Sequence, residues 1–253
     1  MSKHSVAAAF LAACAVAACT GHADQTTDKS DAVIDSMARN AALTAEGNHD
    51  FDTAAGNWNM LYQRHPDDAQ LVLFLARDLR RAGRHQQAID TAQSFLDRHG
   101  PHPLILAELG KDYLAADRLG LAERTLRQAA EAGPQDWQVL SALGVTLDYQ
   151  GNHAAAQEIY AKGLALSPDN PVLLNNLGLS QAQAGQLAVA RATLLKAADQ
   201  PAATAQTRQN LALVEALSGD PEAAARLARQ DLTPEAARAN SDYFRLLSGA
   251  QKP

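Results

Sequence analysis

A chain of 253 residues has room for one or two ordinary domains, and this one carries a formal charge of −6, with 47% hydrophobic and 5% aromatic residues. That acidic balance argues against a general nucleic-acid binder, which needs a cationic face. Both cysteines, Cys14 and Cys19, fall in the N-terminal segment, so none is left to brace the fold as a disulfide framework.

Residues 1–18 read as a secretory signal. Lys3 gives a short basic start, and the apolar run from Val6 to Ala18 is shorter than the roughly 20 residues a bilayer core requires. Its end, Val16-Ala17-Ala18-Cys19, resembles a bacterial lipobox. The resemblance implies cleavage before Cys19 and acylation of its sulfur and its new amine. Leu11-Ala12-Ala13-Cys14 fits the same pattern, and an ordinary signal peptide cut nearby is the blander alternative. Cys19 is the preferred lipidation site, because it gives the longer apolar run and polar chain follows it directly. Three acyl chains, at about 0.8 kcal/mol per buried methylene, hold a protein where one would not. Thr20 rather than Asp after Cys19 implies, in lipoproteins of this type, transfer to the outer membrane. Residues 19–33 are polar without periodicity and read as a flexible tether.

From there to the C-terminal region one unit recurs every 34 residues, with copies starting near 35, 69, 103, 137, 171 and 205. Numbering the copy from Trp137 as 1 to 34, position 7 is Leu143, position 8 Gly144, position 15 Gly151, position 20 Ala156, position 24 Tyr160 and position 32 Pro168. Stepping by the period gives Leu75, Leu109, Leu177 and Leu211 at position 7, and Ala54, Ala88, Ala122, Ala190 and Ala224 at position 20. Position 8 holds only Gly or Ala. The period and its small residues resemble the tetratricopeptide repeat (TPR). Apolar positions 4, 7 and 11 predict one face of a first helix, and 20, 24, 27 and 28 the inner face of a second. Small side chains at 8 and 20 are expected to let the two backbones approach. Glycine at 15 suits the left-handed cap of the first helix, a place Asp117 fills in the third copy.

The expected architecture is all-α: a solenoid over 34–234 with six helix-turn-helix repeats, then a capping helix and tail over 235–253. No hairpin buries its own apolar face, so stacking supplies the core. The first copy is degenerate at Ala38, Ala41 and Ala45, and Trp58, Leu61 and Tyr62 are expected to compensate by reaching into the second. In the last copy Arg208, Glu215 and Asp231 replace apolar residues, which reads as a terminal repeat facing water. Thr233 and Pro234 should start the final helix, with Tyr243, Phe244, Leu246 and Leu247 packed on the last repeat.

Nucleophile elbow, phosphate loop, dinucleotide fingerprint and zinc-protease motif are all missing from the sequence. Asn48, Asp50 and Asp52 imitate the start of a calcium loop, but Thr53 takes its glycine place, and helix capping is the better reading. The sequence therefore predicts no enzyme, cofactor, metal site or small-molecule substrate. What remains is the surface of the first helices. Arg77, Arg80, Arg81 and Lys111 give it a basic end. Asp148 and Tyr149 follow, then an amide-rich end of Asn175, Asn176, Gln183, Gln206, Gln209 and Asn210. Amides pair with both backbone groups of an extended peptide, and the four cations would steer an acidic segment to one end.

Arg208-Gln209-Asn210-Leu211-Ala212-Leu213-Val214, Gly219-Asp220, Ala228-Arg229-Gln230-Asp231-Leu232, Pro234, Ala239-Asn240 and Tyr243-Phe244 look like the end of TadD-type lipoproteins of the tight-adherence (Flp) pilus system. The resemblance implies an outer-membrane lipoprotein on the periplasmic face that helps the pilus secretin assemble, as a pilotin does. Its partners would then be the secretin or another pilus subunit, with the membrane reached through lipid. A TPR scaffold for outer-membrane protein insertion or cell-wall enzyme recruitment is the alternative. Cys19→Ala should release the protein from outer-membrane fractions on flotation; retention of the variant would mean that lipid is not the anchor.

Overall fold

The computed structural model describes residues 20–250, so the expected signal segment, Cys14 and Cys19 lie outside the described residues. Among the described residues there are thirteen helices and no strand. The first helices of successive repeats are α1 (Thr20–Gly47), α3 (Ala69–Arg81), α5 (Pro103–Ala115), α7 (Trp137–Tyr149), α9 (Pro171–Gln183) and α11 (Ala205–Leu217). The second helices are α2 (Phe51–Arg64), α4 (His85–His99), α6 (Leu119–Ala132), α8 (His153–Leu166), α10 (Leu187–Ala198) and α12 (Pro221–Ala228), and α13 (Pro234–Ala250) closes the stack. The fold is a solenoid of helix-turn-helix repeats with a C-terminal helix, in the phase the sequence predicts.

One local bond explains the constancy of that phase. In every repeat the residue at position 16 donates its N–H to the carbonyl five residues back, as Arg84 does to Leu79 and Asn152 to Leu147, each at 2.8 Å. The bond requires a left-handed residue at position 15. Gly83, Gly151, Gly185 and Gly219 supply it at φ 75–92°, and His49 and Asp117 adopt it at φ 60° and 57°. Asp50 then accepts from the Thr53 N–H at 3.1 Å and caps α2, the role preferred for it over calcium.

The close approach inside each hairpin uses both small positions, as expected. Position 20 is fully buried in all six copies, from Ala54 to Ala224. Position 8, however, faces position 24. A Cβ added at Gly110 would lie 2.6 Å from Leu126 Cγ, one at Gly178 2.6 Å from Leu194 Cγ, and one at Gly144 would meet the Tyr160 ring. Where position 8 is Ala76 or Ala212, position 24 is Ala92 or Ala228, all fully buried.

First helices of neighbouring repeats pack on one another (α3 on α5, α5 on α7, α7 on α9, α9 on α11) as well as on their own partners. The stack therefore curves with the first helices on its inside. At its start, Trp58 and Leu61 are buried and the Trp58 ring stacks 4.7 Å from Phe74 of the second repeat, so the compensation for the alanine-rich first helix is made as expected.

Three local expectations are corrected. Thr20–Gly47 is one helix, so the stretch expected as a tether continues α1 backwards. After Gly21 it has neither glycine nor proline, and adding one helical residue to an existing helix gains a bond without new nucleation. Arg64 binds Asp31 at 3.1 Å and Asp35 at 2.6 Å, which ties this upstream turn to the end of α2. Second, the polar residues of the last repeat pair rather than face water. Arg208 grips Asp231 through two bonds of 2.8 and 2.5 Å, and Arg191 holds buried Glu215 through two of 2.9 and 2.8 Å. Third, Thr233 caps α13 through Ala236 N–H at 3.3 Å and Phe244 is buried, but Tyr243 and Leu246 are 52% and 72% exposed. Ala237 and Phe244, seven residues apart, share the packed face, and 243 and 246 lie off it. Leu247's side chain lies outside the described ones.

Gly144→Ala should destabilise the protein by about 1–2 kcal/mol in denaturant titration, because overpacking against the pinned Tyr160 ring outweighs the helix preference of alanine. Gly56→Ala, where nothing lies near the new methyl, should stabilise it by about 0.5–1 kcal/mol. Equal signs would refute the position 8–24 packing.

Candidate functional site

The inner face divides into two halves of different chemistry. At its N-terminal end the expected basic patch is instead a neutralised network. Arg77 binds Glu46 at 2.8 Å and Asp78 at 3.1 Å, and its guanidinium lies 5.2 Å from the Phe74 ring centre. The Trp58 Nε1–H donates to both Glu46 and Asp78, at 2.9 and 3.1 Å. Arg80 holds Glu108 at 2.5 Å and Asp112 at 3.0 Å, and Lys111 lies 3.4 Å from Glu108. Arg81 is half exposed, resting over Phe51 at 5.2 Å and 3.9 Å from Asp78. Four cations thus meet the carboxylates of Glu46, Asp78 and Glu108 and the Asp112 carboxyl, and most of the field expected to steer an acidic segment is offset locally. Asp78 shares α3 with the three arginines, but Glu46 comes from α1 and Glu108 and Asp112 from α5, so the stacking of repeats makes most of these pairs.

Burial leaves its mark on this network. Desolvation, then the charge of Glu108, pushes the Asp112 carboxyl up to about 8 in spite of Arg80. Its Oδ2 is buried without a partner.

The C-terminal half is nearly uncharged. Asn176 donates to Ser141 at 3.1 Å, Asn175 to Asn176 at 3.2 Å, Asn210 to Asn175 at 2.8 Å, and Gln206 to Asn210 at 3.0 Å. Four of the six predicted amides therefore form one ladder across the fourth, fifth and sixth repeats. Each asparagine retains a second N–H and a second lone pair directed away from it. Gln209 is outside the ladder, beside Asp231.

Asp148, Tyr149, Asn176 and Gln183 line one cavity of about 260 Å³ with Val145 and Leu179, and Tyr160 forms part of its wall. Tyr149 is 70% exposed. The charge on Asp148 is fully engaged. Ser180 donates to it at 2.6 Å, Tyr160 at 2.9 Å, and the His153 Nδ1 lies 2.9 Å away. Burial, then the neighbouring Asp148 charge, pushes the Tyr160 phenol up. Sequence reasoning placed Tyr160 in the core and did not name Val145, Leu179 or Ser180 as site residues. A buried tyrosine hydroxyl needs a partner, and that requirement was the available clue.

Models of the tetratricopeptide repeat match residues 39–103, 107–171 and 142–206, more than half of the chain. The chain belongs to the tetratricopeptide repeat family. Among curated proteins, this TPR chain is 37% identical over 78 residues to the uncharacterized protein y4yS of Sinorhizobium fredii, covering 31% of itself and 43% of that protein. It is 32% identical over 150 residues to the TPR repeat-containing protein PA4667 of Pseudomonas aeruginosa, covering 58% of itself and 25% of that one. It thus spans less than half the length of these relatives. Among solved structures, Pseudomonas aeruginosa pilF superposes with a TM-score of 0.66 at 16% identity, over 84% of this chain and 97% of that one. YrrB, described as a TPR protein with an unusual peptide-binding site, does so with a TM-score of 0.53 at 16% identity, over 78% and 98%. At such identities the likeness is one of fold.

The folded Asp112 keeps its proton where the unfolded chain has lost it, so stability should fall as pH rises from about 4 to about 8. Asp112→Asn should flatten that decline in chemical denaturation curves taken across the range. An unchanged slope would mean that Asp112 ionises normally.

Proposed function

We propose that this TPR protein is a non-enzymatic scaffold that holds an extended segment of another protein on its inner face, and that it serves secretin assembly in a tight-adherence pilus. The observation that carries the binding reading is the amide ladder beside an apolar-walled cavity: backbone-pairing groups lie next to a recess for one side chain. YrrB, a fold neighbour, is described as having a peptide-binding site, which agrees with the use proposed here. The pilus reading rests on the C-terminal stretch from Arg208 to Phe244 and its resemblance to TadD-type lipoproteins. The fold likeness to pilF is compatible with it.

In this proposal residues 1–18 are removed, Cys19 carries lipid on the periplasmic face of the outer membrane, the solenoid over 34–234 presents the groove, and 235–253 cap it. The partner is the secretin or another pilus subunit, reached through an uncharged segment with a bulky apolar side chain for the cavity beside Tyr149. That choice replaces the acidic segment expected from sequence, because Arg77, Arg80 and Lys111 are already paired.

Deleting the protein should abolish secretin multimers and leave outer-membrane porins unchanged. Tyr149→Ala with Asn176→Ala in the full chain should weaken partner capture about ten-fold, roughly 1.4 kcal/mol, while circular dichroism stays helical. Loss of porins instead would favour a scaffold for outer-membrane protein insertion, and unaltered capture would place the contact elsewhere.

A further inference from the structure

The C-terminal motif contains residues whose tasks are structural and one whose task is not. Within Arg229-Gln230-Asp231-Leu232, Asp231 answers Arg208 and Leu232 packs against the buried cluster around Phe244. Arg229 does neither. Its side chain lines a cleft of about 270 Å³ between α12 and α13, together with Arg226 one turn earlier and Arg245 from the opposite helix. Glu222 and Ser241 complete the polar part of the lining.

The pairing of charges elsewhere makes this cleft unusual within the molecule. Among the described residues, most cations have a carboxylate, amide, hydroxyl or aromatic partner, as Arg191, Lys196, Arg208 and Arg245 do. Arg226 and Arg229 have none among the described residues, although both line the same small recess. Arg245 gives one nitrogen to Asp242 at 3.0 Å and keeps the rest of its fork. The Ser241 hydroxyl is spent on the Ala237 carbonyl at 2.9 Å, and among the described residues Glu222 forms no ion pair.

We propose that the cleft between α12 and α13 binds a phosphate group, held by Arg226 and Arg229 with Arg245 in support. Guanidinium forks match the spacing of oxygens on carboxylate and phosphate alike. In this protein a single arginine suffices for a carboxylate, as with Glu215 and Asp231. Arginines from two helices that line one recess suit a tetrahedral anion, which offers oxygens in several directions. The site lies on α12 and α13, none of whose residues line the inner-face cavity, and does not depend on the protein-binding reading. The phosphate could belong to a free anion or to a lipid headgroup, and the two sources are separable.

The test follows the Arg Nε–H signals by NMR in the full chain, held in a non-ionic detergent, at constant ionic strength. The probes are inorganic phosphate and, as monomers, dihexanoylphosphatidylglycerol against dihexanoylphosphatidylcholine. The signals of Arg226, Arg229 and Arg245 should shift saturably, while Arg127, paired with Glu123, stays still. Arg226→Gln with Arg229→Gln should weaken the response about ten-fold or more without loss of helicity. Saturation with phosphate alone identifies a free anion, and saturation with the glycerol lipid but not the choline lipid identifies a headgroup. Shifts that do not saturate, that spread over all arginines, or that survive in the double variant overturn the site.

Discussion

The contact on which the stack depends is the one between the eighth residue of each first helix and the twenty-fourth of the same repeat. Gly110, Gly144 and Gly178 leave room for Leu126, Tyr160 and Leu194, and Ala212 and Ala228 share one buried cluster. In the first repeat the same two positions hold Ala42 and Trp58, both buried, so neither position is fixed in size. With the hairpin closed at that distance, its remaining apolar surface can be covered only by the next repeat. The two ends then need covers of their own. Trp58 lies over Phe74 at one end, and Phe244 sits among Ala212, Ala216, Ala224 and Ala228 at the other.

Polar contacts set how one hairpin is phased against the next. Residue 80 meets residue 112 and residue 148 meets residue 180, both thirty-two positions apart and both from position 12 of one repeat to position 10 of the following one. In the first repeat the same two positions, Glu46 and Asp78, are joined through the indole N–H of Trp58. Only the first of these joins an arginine to an acid, and buried pairs of that kind contribute little net stability, since desolvation offsets attraction. They do penalise any slip between repeats, because a slip would leave a buried carboxylate unpaired. The raised Asp112 carboxyl records the cost: burial first, and then the charge of Glu108 beside the same Arg80, favour its protonated form.

The features legible from the chain are those that repeat. Helix starts at 69, 103, 137, 171 and 205, the left-handed residue at position 15 and the buried alanine at position 20 all follow from a hairpin of fixed length. Features that depend on which side chain meets which were harder to read. Arg77 and Arg80 look like free cations until Glu46 and Asp112, on neighbouring helices, are placed against them. Arg208 and Asp231 look like exposed polar substitutions until their two positions are seen to touch. Tyr243 and Leu246 are apolar and so look like members of the packed face, whereas helical phase separates them from Phe244. The amide ladder lay between these cases. Its residues were recognised individually, but the bonds from Asn176 to Ser141 and from Asn210 to Asn175 join residues thirty-five apart, a spacing fixed by the stacking of repeats.

That ladder bears on how the groove would discriminate. An asparagine held by its neighbours has already lost the rotamer freedom that a ligand would otherwise have to remove, so its free N–H and carbonyl are offered at low entropic cost. The same half of the surface has one carboxylate beside the cavity, and Asp148 is saturated by Ser180, Tyr160 and His153. A charged side chain entering there would lose water and meet no counter-ion, a penalty that a neutral segment does not incur. At the other end the cations are committed to their own acids and cannot exchange partners without unpairing a buried group. In the proposed binding mode, selectivity on this surface would thus rest on exclusion of charge as much as on attraction, although the protein itself is acidic.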